Sequence, residues 1–456
     1  MDISPLRQLK AIQVFAGLVG TLLAYLVYVI ICRIFFHPLA KYPGPFLGKF
    51  TYFYPMRNMI TKTRIHWQYE QLLKYGSPVR VSTNELLFSG GKAWADIYGQ
   101  SSTPCLKEPV AYGKFTATGA NSILNETDRF NHARLRRLVS HAFSLNALLR
   151  SEFLIHQKIE TFCSLVIAPA AERGQSIDIF NKIMDHYLDI VSYLSFGKSF
   201  DSVSGHGEVS HNEMDNFMKV VPSQSFFPYL RQMPIKPKVI AEGYRGLDRL
   251  IEFARTQVRD FLDKADQDET FAKGTFLRHL TDARDEETGG SRLSFGELVE
   301  NAIIFLKAGS DTTAITTMYL LLRRPLSAAF PRVSPGREID GIYVPKGVVV
   351  EASAHATHRE LKVYPDPEEW QPERWLDDTT EMRACHNPFS RGPRNCVGKH
   401  LAEIGLHLTV SRLYQLYDIE DDPSMTPAMM KQKDRSVAQP WGGKCLIRPI
   451  PRKSAL

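Results

Sequence analysis

Near the C-terminal end, Phe389-Ser390-Arg391-Gly392-Pro393-Arg394-Asn395-Cys396-Val397-Gly398 surrounds one cysteine with the residue types that a metal-bound thiolate requires. A bare thiolate is protonated or oxidised, so its loop must supply backbone N–H donors to the sulfur. Gly392 and Gly398 remove side chains where a flat cofactor would otherwise meet the chain. Arg394, two residues before the cysteine, offers a cation for a carboxylate. From Leu401 to Leu413 the apolar residues follow a helical period, which predicts a helix beginning beside Cys396 whose N-terminal dipole helps hold the sulfur ionised. Together these residues point to haem with Cys396 as its axial ligand, because a thiolate pushes electron density onto iron and favours O–O cleavage.

A second polar cluster lies upstream. Asn301 to Leu322 is apolar almost throughout except at Lys307 and Ser310-Asp311-Thr312-Thr313. An acid beside a hydroxyl in a helix suited to burial needs a reason. One is structural: Gly309 weakens the helix, and a threonine can bond back to a carbonyl one turn earlier. The other is acid–base chemistry by Asp311 and Thr312 at a cofactor that itself carries the oxidation. Zinc is the rival metal near Cys385, His386, Cys396 and His400, but the first two are adjacent and no CxxC or HxxxH knuckle is present. The six cysteines are scattered in a chain too large to need disulfide staples, which points to a reducing compartment.

The elements that must position these groups can be read coarsely. Ala11 to Cys32 carries Gln13 as its only strongly polar residue and is long enough for a transmembrane helix. A cleaved signal peptide is the alternative, disfavoured by the length of the apolar run and the lack of a small-x-small site after it. Pro43-Gly44-Pro45 then makes a stiff turn suited to a hinge. Helical periods are expected over Arg64–Tyr75, Leu145–Arg173, Ile177–Leu194 and Ile240–Ala265. Two short strands are expected in Pro78–Phe88 around Thr83-Asn84, a pocket-lining loop over Gln100–Ala120, and a tight hairpin within Gly341–Val350. The fold class is mainly α with a small β region: a membrane anchor and hinge at 1–45, and one large domain at 46–456. The net charge of +7 is moderate and contains no dense basic run, so nucleic acid is not an expected partner. Positive charges flank both ends of the apolar span and leave its sidedness open.

The thiolate loop, Ala308-Gly309-Ser310-Asp311-Thr312-Thr313, Pro372-Glu373-Arg374-Trp375 and His132-Ala133-Arg134-Leu135-Arg136 occur in an order that resembles the cytochrome P450 family. With its anchor and Pro-Gly-Pro, the chain is similar to the microsomal kind found in fungi. The resemblance implies the P450 fold, a haem b ligated by Cys396, and a monooxygenase acting on an apolar small molecule with O2. Electrons would come from NADPH through NADPH-cytochrome P450 reductase at the endoplasmic reticulum membrane, with the domain in the cytosol. It further implies that Thr312 hydrogen-bonds dioxygen, that Asp311 helps bring protons, and that Phe389, Gly392, Arg394 and Gly398 shape the haem site. His132, Arg136 and Arg332 would stand at the propionates, and Leu326–Phe330 would contact substrate.

One family feature is missing. A Glu-x-x-Arg pair is expected on a helix between the oxygen motif and the haem loop, yet no Glu occurs between Glu300 and Glu338. Thr312 and Cys396 are only 84 positions apart (396 minus 312), and Tyr319-Leu320-Leu321 runs straight into Arg323-Arg324-Pro325. An internal deletion, or an exon lost from the gene model, explains both, and makes a haem-binding relic the rival to an active enzyme. A haem-thiolate rearrangement enzyme is a third possibility, against which Asp311-Thr312 argues.

Overall fold

The structure is a computed structural model that describes residues 4–113, 115–205, 220, 227, 229–282, 293–323, 331–435 and 437–452. Helix runs over Ser4–Ile31 and widens into a π turn at Cys32–Phe36. Ile12–Phe36, with hydropathy 2.4, is long and apolar enough to cross a membrane. The chain that follows is bolted to the body by Arg80, whose side chain is fully buried. Its Nη1 donates to the carbonyl of Arg33 at 3.0 Å, and its Nη2 to those of Lys49 at 3.0 Å and Thr83 at 2.7 Å. Its backbone N–H donates to Pro43 at 2.8 Å.

The body is a helical assembly centred on Phe295–Leu321. Ser294 and Glu297 form a capping box that starts this helix, satisfying two of the amide groups that a helix N-terminus leaves open. It packs against Phe180–Phe196, Lys238–Gln267 and Lys399–Leu416, and these faces make the main apolar core. The helix ends at Leu322, and Arg323 turns into the left-handed region at φ 52°. Arg324 and the segment Leu326–Phe330 lie outside the described residues.

Three sequence expectations change. The single run expected over Leu145–Arg173 is divided into Leu145–Leu149, Glu152–Phe162, a π turn at Cys163–Ile167 and Ala168–Glu172. Pro169 has no N–H to donate, and the turn before it widens. Ile177 is in a strand, Ile177–Asp178, paired with the C-terminal strand Leu446–Pro451, and the helix begins only at Phe180. The hairpin expected within Gly341–Val350 does not close on itself. Ile342–Val344 pairs instead with Arg337–Ile339 across Asp340-Gly341, both at positive φ, the backbone that a two-residue hairpin turn demands.

Val349–Ala352 goes to a different sheet. That five-stranded sheet has the order Val79–Ser82, Glu85–Phe88, Val349–Ala352, Arg332–Val333, Leu106–Lys107, with the first two strands forming the expected hairpin. Glu85–Phe88 and Val349–Ala352 are parallel neighbours, and the outer pairings are antiparallel. Its apolar residues form a separate smaller core with Trp94, Ile97 and Tyr98. Pairing of the last two strands sets Lys107 opposite Arg332.

Candidate active site

The cysteine loop is shaped by its backbone. The Cys396 amide donates to the carbonyl of Phe389 at 2.9 Å, and the Asn395 amide to that of Gly392 at 3.1 Å. Gly392 sits at φ 68°. A Cβ on it would drive into the carbonyl oxygen of Tyr98 and lie 2.9 Å from the carbonyl carbon of Gly99. The residue that demands its smallness is therefore in the neighbouring chain segment. A Cβ on Gly398 would touch only the Cys396 Sγ, at 3.9 Å. Cys396 is exposed, yet protein crowded around its loop pushes the thiol up, opposed by the Gly398 amide and the charge of Arg136. The helix Lys399–Leu416 starts three residues on, as the apolar period predicts.

Between Leu298 and Tyr319 the central helix is buried except along one stripe: Ala308 and Thr312 are exposed, and Gly309 and Thr316 partly so. Spacing of four puts Ala308, Thr312 and Thr316 on one face. The Thr312 hydroxyl donates to the carbonyl of Ala308 at 2.7 Å, the local bond that a mid-helix threonine favours. Asp311 points elsewhere. Its carboxylate is buried against Lys307, Nζ to Oδ2 2.6 Å, with side chains 6% and 2% exposed. The helix also anchors the pocket loop: Glu300 accepts from the amides of Ala117 and Thr118 at 2.9 and 2.8 Å, and Asn301 Oδ1 accepts from the Ile123 amide at 3.1 Å.

Basic side chains gather beside the loop. Arg136 Nη1 and Nη2 donate to the carbonyl and Oδ1 of Asn395 at 2.7 and 2.8 Å. Arg394 reaches back to the carbonyls of Glu126, Thr127 and Asp128 at 3.3, 3.3 and 3.5 Å. Arg332 donates to the hydroxyl of Tyr112 and lies over the rings of Tyr98 and Tyr112, 5.0 and 5.2 Å from their centroids. Lys107 donates to the carbonyls of Ile123 and Leu124 at 2.9 and 2.7 Å. Among the described residues none of these four cations is in an ion pair. They repel one another. Burial and then Arg332 bring Arg394 down to about 10, and burial and then Arg394 hold Lys107 well below its usual range. His132, buried and next to Lys107, is lowered to about 2 and is neutral. Unpaired cations held together at this cost fit a ligand that brings two carboxylates, as haem does.

Lys107, Tyr112 and Asn395 were not legible as site residues. Lys107 and Tyr112 fall in the Gln100–Ala120 loop, which holds a short strand, Leu106–Lys107, and a helical turn, Pro109–Tyr112; strand register sets Lys107 opposite Arg332, and the turn brings the Tyr112 hydroxyl to the same arginine. Arg134 of the His132 segment pairs with Glu297 at 3.0 Å, away from the cation group. Arg374 donates to Gln371 and Asp366 of its own segment, and no ion pair among the described residues includes it. Arg359 pairs with Glu368.

Comparison with known proteins agrees with this geometry. The family model described as cytochrome P450 matches residues 107–325 and 324–446, two stretches that meet at Arg324-Pro325. A cytochrome P450 monooxygenase of Penicillium roqueforti, ORF9, is 26% identical over 453 aligned positions covering 87% of each chain. An alignment that long, taking in only 87% of 456 residues, leaves dozens of positions with no counterpart in this chain. The monooxygenase BOA3 of Botryotinia fuckeliana is 28% identical, covering 90% of this chain and 92% of its own. Versicolorin B desaturase of Dothistroma septosporum is 26% identical, with 93% and 92% covered. The crystal structure of the cytochrome P450DA heme domain superposes at a TM-score of 0.69 with 18% identity, over 87% of this chain and 95% of its own, a likeness of fold.

Proposed function

The chain belongs to the cytochrome P450 family, and from that premise we propose that it inserts one oxygen atom from O2 into an apolar small molecule of secondary metabolism. The observation that carries this reading is the set of basic side chains Lys107, Arg136, Arg332 and Arg394, in no ion pair among the described residues, beside an exposed Cys396. Haem bound through Cys396 would supply the electron-rich iron at which O2 is cleaved. Arg332, Arg394 and Lys107 would take its propionates, with neutral His132 packed behind them. Phe389 holds the loop through its carbonyl, and Gly392 and Gly398 keep it thin.

The remaining steps belong to side chains of the central helix. Thr312 presents a hydroxyl on the open stripe; its proton rests on Ala308, and the oxygen retains lone pairs to accept a second donor. Asp311 holds its charge against Lys307 and moves a proton toward the stripe only by leaving that ammonium. Glu300 and Asn301 hold the loop at Ala117, Thr118 and Ile123 against the central helix. The apolar helix at the N-terminus supports a single-pass anchor in the endoplasmic reticulum membrane, with the domain on the cytosolic side, where NADPH-cytochrome P450 reductase supplies electrons. Reduced protein treated with CO should show the red-shifted Soret band of a thiolate-ligated haem; a haem-replete preparation whose band stays well to the blue refutes it.

A second reading, that the chain is a shortened and impaired member, is favoured by four observations. No Glu-x-x-Arg lies between Thr312 and Cys396. The family match is split at Arg324-Pro325. Among the described residues Arg374 binds only its own segment. Trp370, Trp375 and Leu376 around it are exposed, an apolar patch of the kind that a lost helix would leave. Transcript sequencing across codons 318 to 326 separates the two: a continuous read supports the shortened chain, and extra coding sequence there restores the intact enzyme.

A further inference from the structure

We propose that the cleft between the π turn Cys163–Ile167, the strand Ile177–Asp178 and the start of the helix Phe180–Phe196 is a second ligand site, which takes a small apolar molecule bearing one carboxylate. None of its lining residues belongs to the cation group beside Cys396. Its volume is about 310 Å³, at the lower end of the roughly 300–1,000 Å³ of small-molecule sites. Val166, Ala170 and Val203 line it as buried apolar floor, and Leu165 is an exposed leucine at its rim, 53% open to solvent. An apolar body seated there removes that leucine surface from water. The helix widens where Leu165 and Val166 meet the cleft, an irregularity that recurs at functional sites.

The charged residues of the lining are two cations, one from each wall. Arg173 follows the helix Ala168–Glu172, and Lys182 stands in the first turn of Phe180–Phe196. Neither is in an ion pair among the described residues, and the bond from Lys182 to the carbonyl of Val203 is 3.5 Å long. The acids of the surrounding elements are engaged elsewhere. Asp178 accepts from the amides of Phe180 and Cys445 at 3.0 and 2.9 Å, and Asp189 from those of Ser202 and Val203 at 2.7 and 3.1 Å. Asp201 pairs with Lys158 at 3.2 Å, Asp422 takes the hydroxyls of Ser176 and Ser424, and Glu172 lies near Tyr417. An apolar floor under two cations that lack counter-ions selects an anion with an apolar tail, and a carboxylate has an oxygen for each cation.

The test titrates the full chain, in nanodiscs of neutral phosphatidylcholine, with decanoate, 4-phenylbutyrate and the neutral 4-phenylbutyramide, reading heat against empty nanodiscs. At least one acid should bind, and the amide should bind about tenfold more weakly than its acid or not at all. Arg173→Gln and Lys182→Gln should each weaken the acid about three- to tenfold and leave the amide as it was. Leu165→Glu, at an exposed position, should abolish acid binding. A circular dichroism melt matching wild type in each variant keeps a failed fold from passing as lost binding. Decanoate alone marks a lipid-derived ligand and 4-phenylbutyrate alone a soluble aromatic acid; either supports the site. Binding of neither acid, equal affinity for acid and amide, or acid affinity unmoved by both cation variants overturns it, the last by placing the ligand elsewhere in the chain. The site does not rest on the haem reading: acid binding that responds to Arg173 and Lys182 stands even where the CO band fails to appear.

Discussion

Replacing Gly392 by alanine tests whether the loop is thin for the sake of the protein itself. The alanine would occupy φ 68°, which costs an L-residue about 1–2 kcal/mol. Its Cβ would also overlap the Tyr98 carbonyl and sit 2.9 and 3.1 Å from the Gly99 carbonyl carbon and the Gln100 nitrogen. That segment cannot retreat freely. The Tyr98 hydroxyl accepts from the Ala352 amide at 3.2 Å, its ring lies under Arg332, and the Gly99 amide donates to Ala95 at 2.9 Å. Overpacking of this kind adds about 1–3 kcal/mol, for a total of about 2–5 kcal/mol. A chain of 456 residues has an unfolding entropy of roughly 1 kcal/mol/K at ~2.1 cal/mol/K per residue, so Tm should fall by about 2–5 °C. Gly398→Ala is the control: its φ is −83° and its Cβ meets only Sγ at 3.9 Å, so its Tm without haem should stay within about 0.5 °C. Circular dichroism melts of both variants decide the matter. Equal shifts, or an unmoved Gly392→Ala, would refute the argument that Tyr98–Gln100 selects the glycine.

Other perturbations follow from buried charges. Lys307→Met leaves Asp311 buried and without its ammonium, a loss of about 3–5 kcal/mol in urea unfolding; adding Asp311→Asn should recover most of it, and a double variant as weak as the sum would show the pair to be uncoupled. Arg80→Met strips donors from the carbonyls of Arg33, Lys49 and Thr83, about 1–3 kcal/mol for each carbonyl left dry. Trypsin should then cut the hinge at Lys41 or Lys49 faster, and an unchanged digestion rate would count against Arg80 as the bolt. Glu85 is pushed up to about 7, by burial first and by Glu351 next. The folded state thus binds this proton more tightly than the unfolded one. Its contribution is complete below the ordinary carboxylate range and is lost as pH rises through about 7. Glu85→Gln should flatten the decline of Tm between pH 4.5 and 7; parallel curves for the two proteins would contradict this.

Local chemistry made part of this protein legible from residue order alone. The apolar span at the N-terminus, the helix carrying Asp311 and Thr312, and the helix after Cys396 follow from periodicity and composition, because each buries a face set by its own sequence. So does the gap between Thr312 and Cys396, a matter of counting. What depends on other segments was hidden. Val349–Ala352 reads as the return arm of a hairpin, but Asp340-Gly341 supplies the better turn and releases that strand to the larger sheet. Gly392 reads as clearance for a cofactor, whereas the backbone of Tyr98–Gln100 already requires it. Lys307 and Asp311 are visibly four apart, yet only helix packing shows that both are dry and turned from the stripe that displays Thr312. By itself, then, the sequence determined that a cysteine thiolate and an acid–hydroxyl pair would be carried on particular elements, since short-range spacing dictates those elements. Which cations meet beside Cys396 was decided only by tertiary structure: strand register sets Lys107 against Arg332, and helix docking brings Arg136 to Asn395, contacts between residues hundreds of positions apart whose geometry no local pattern encodes.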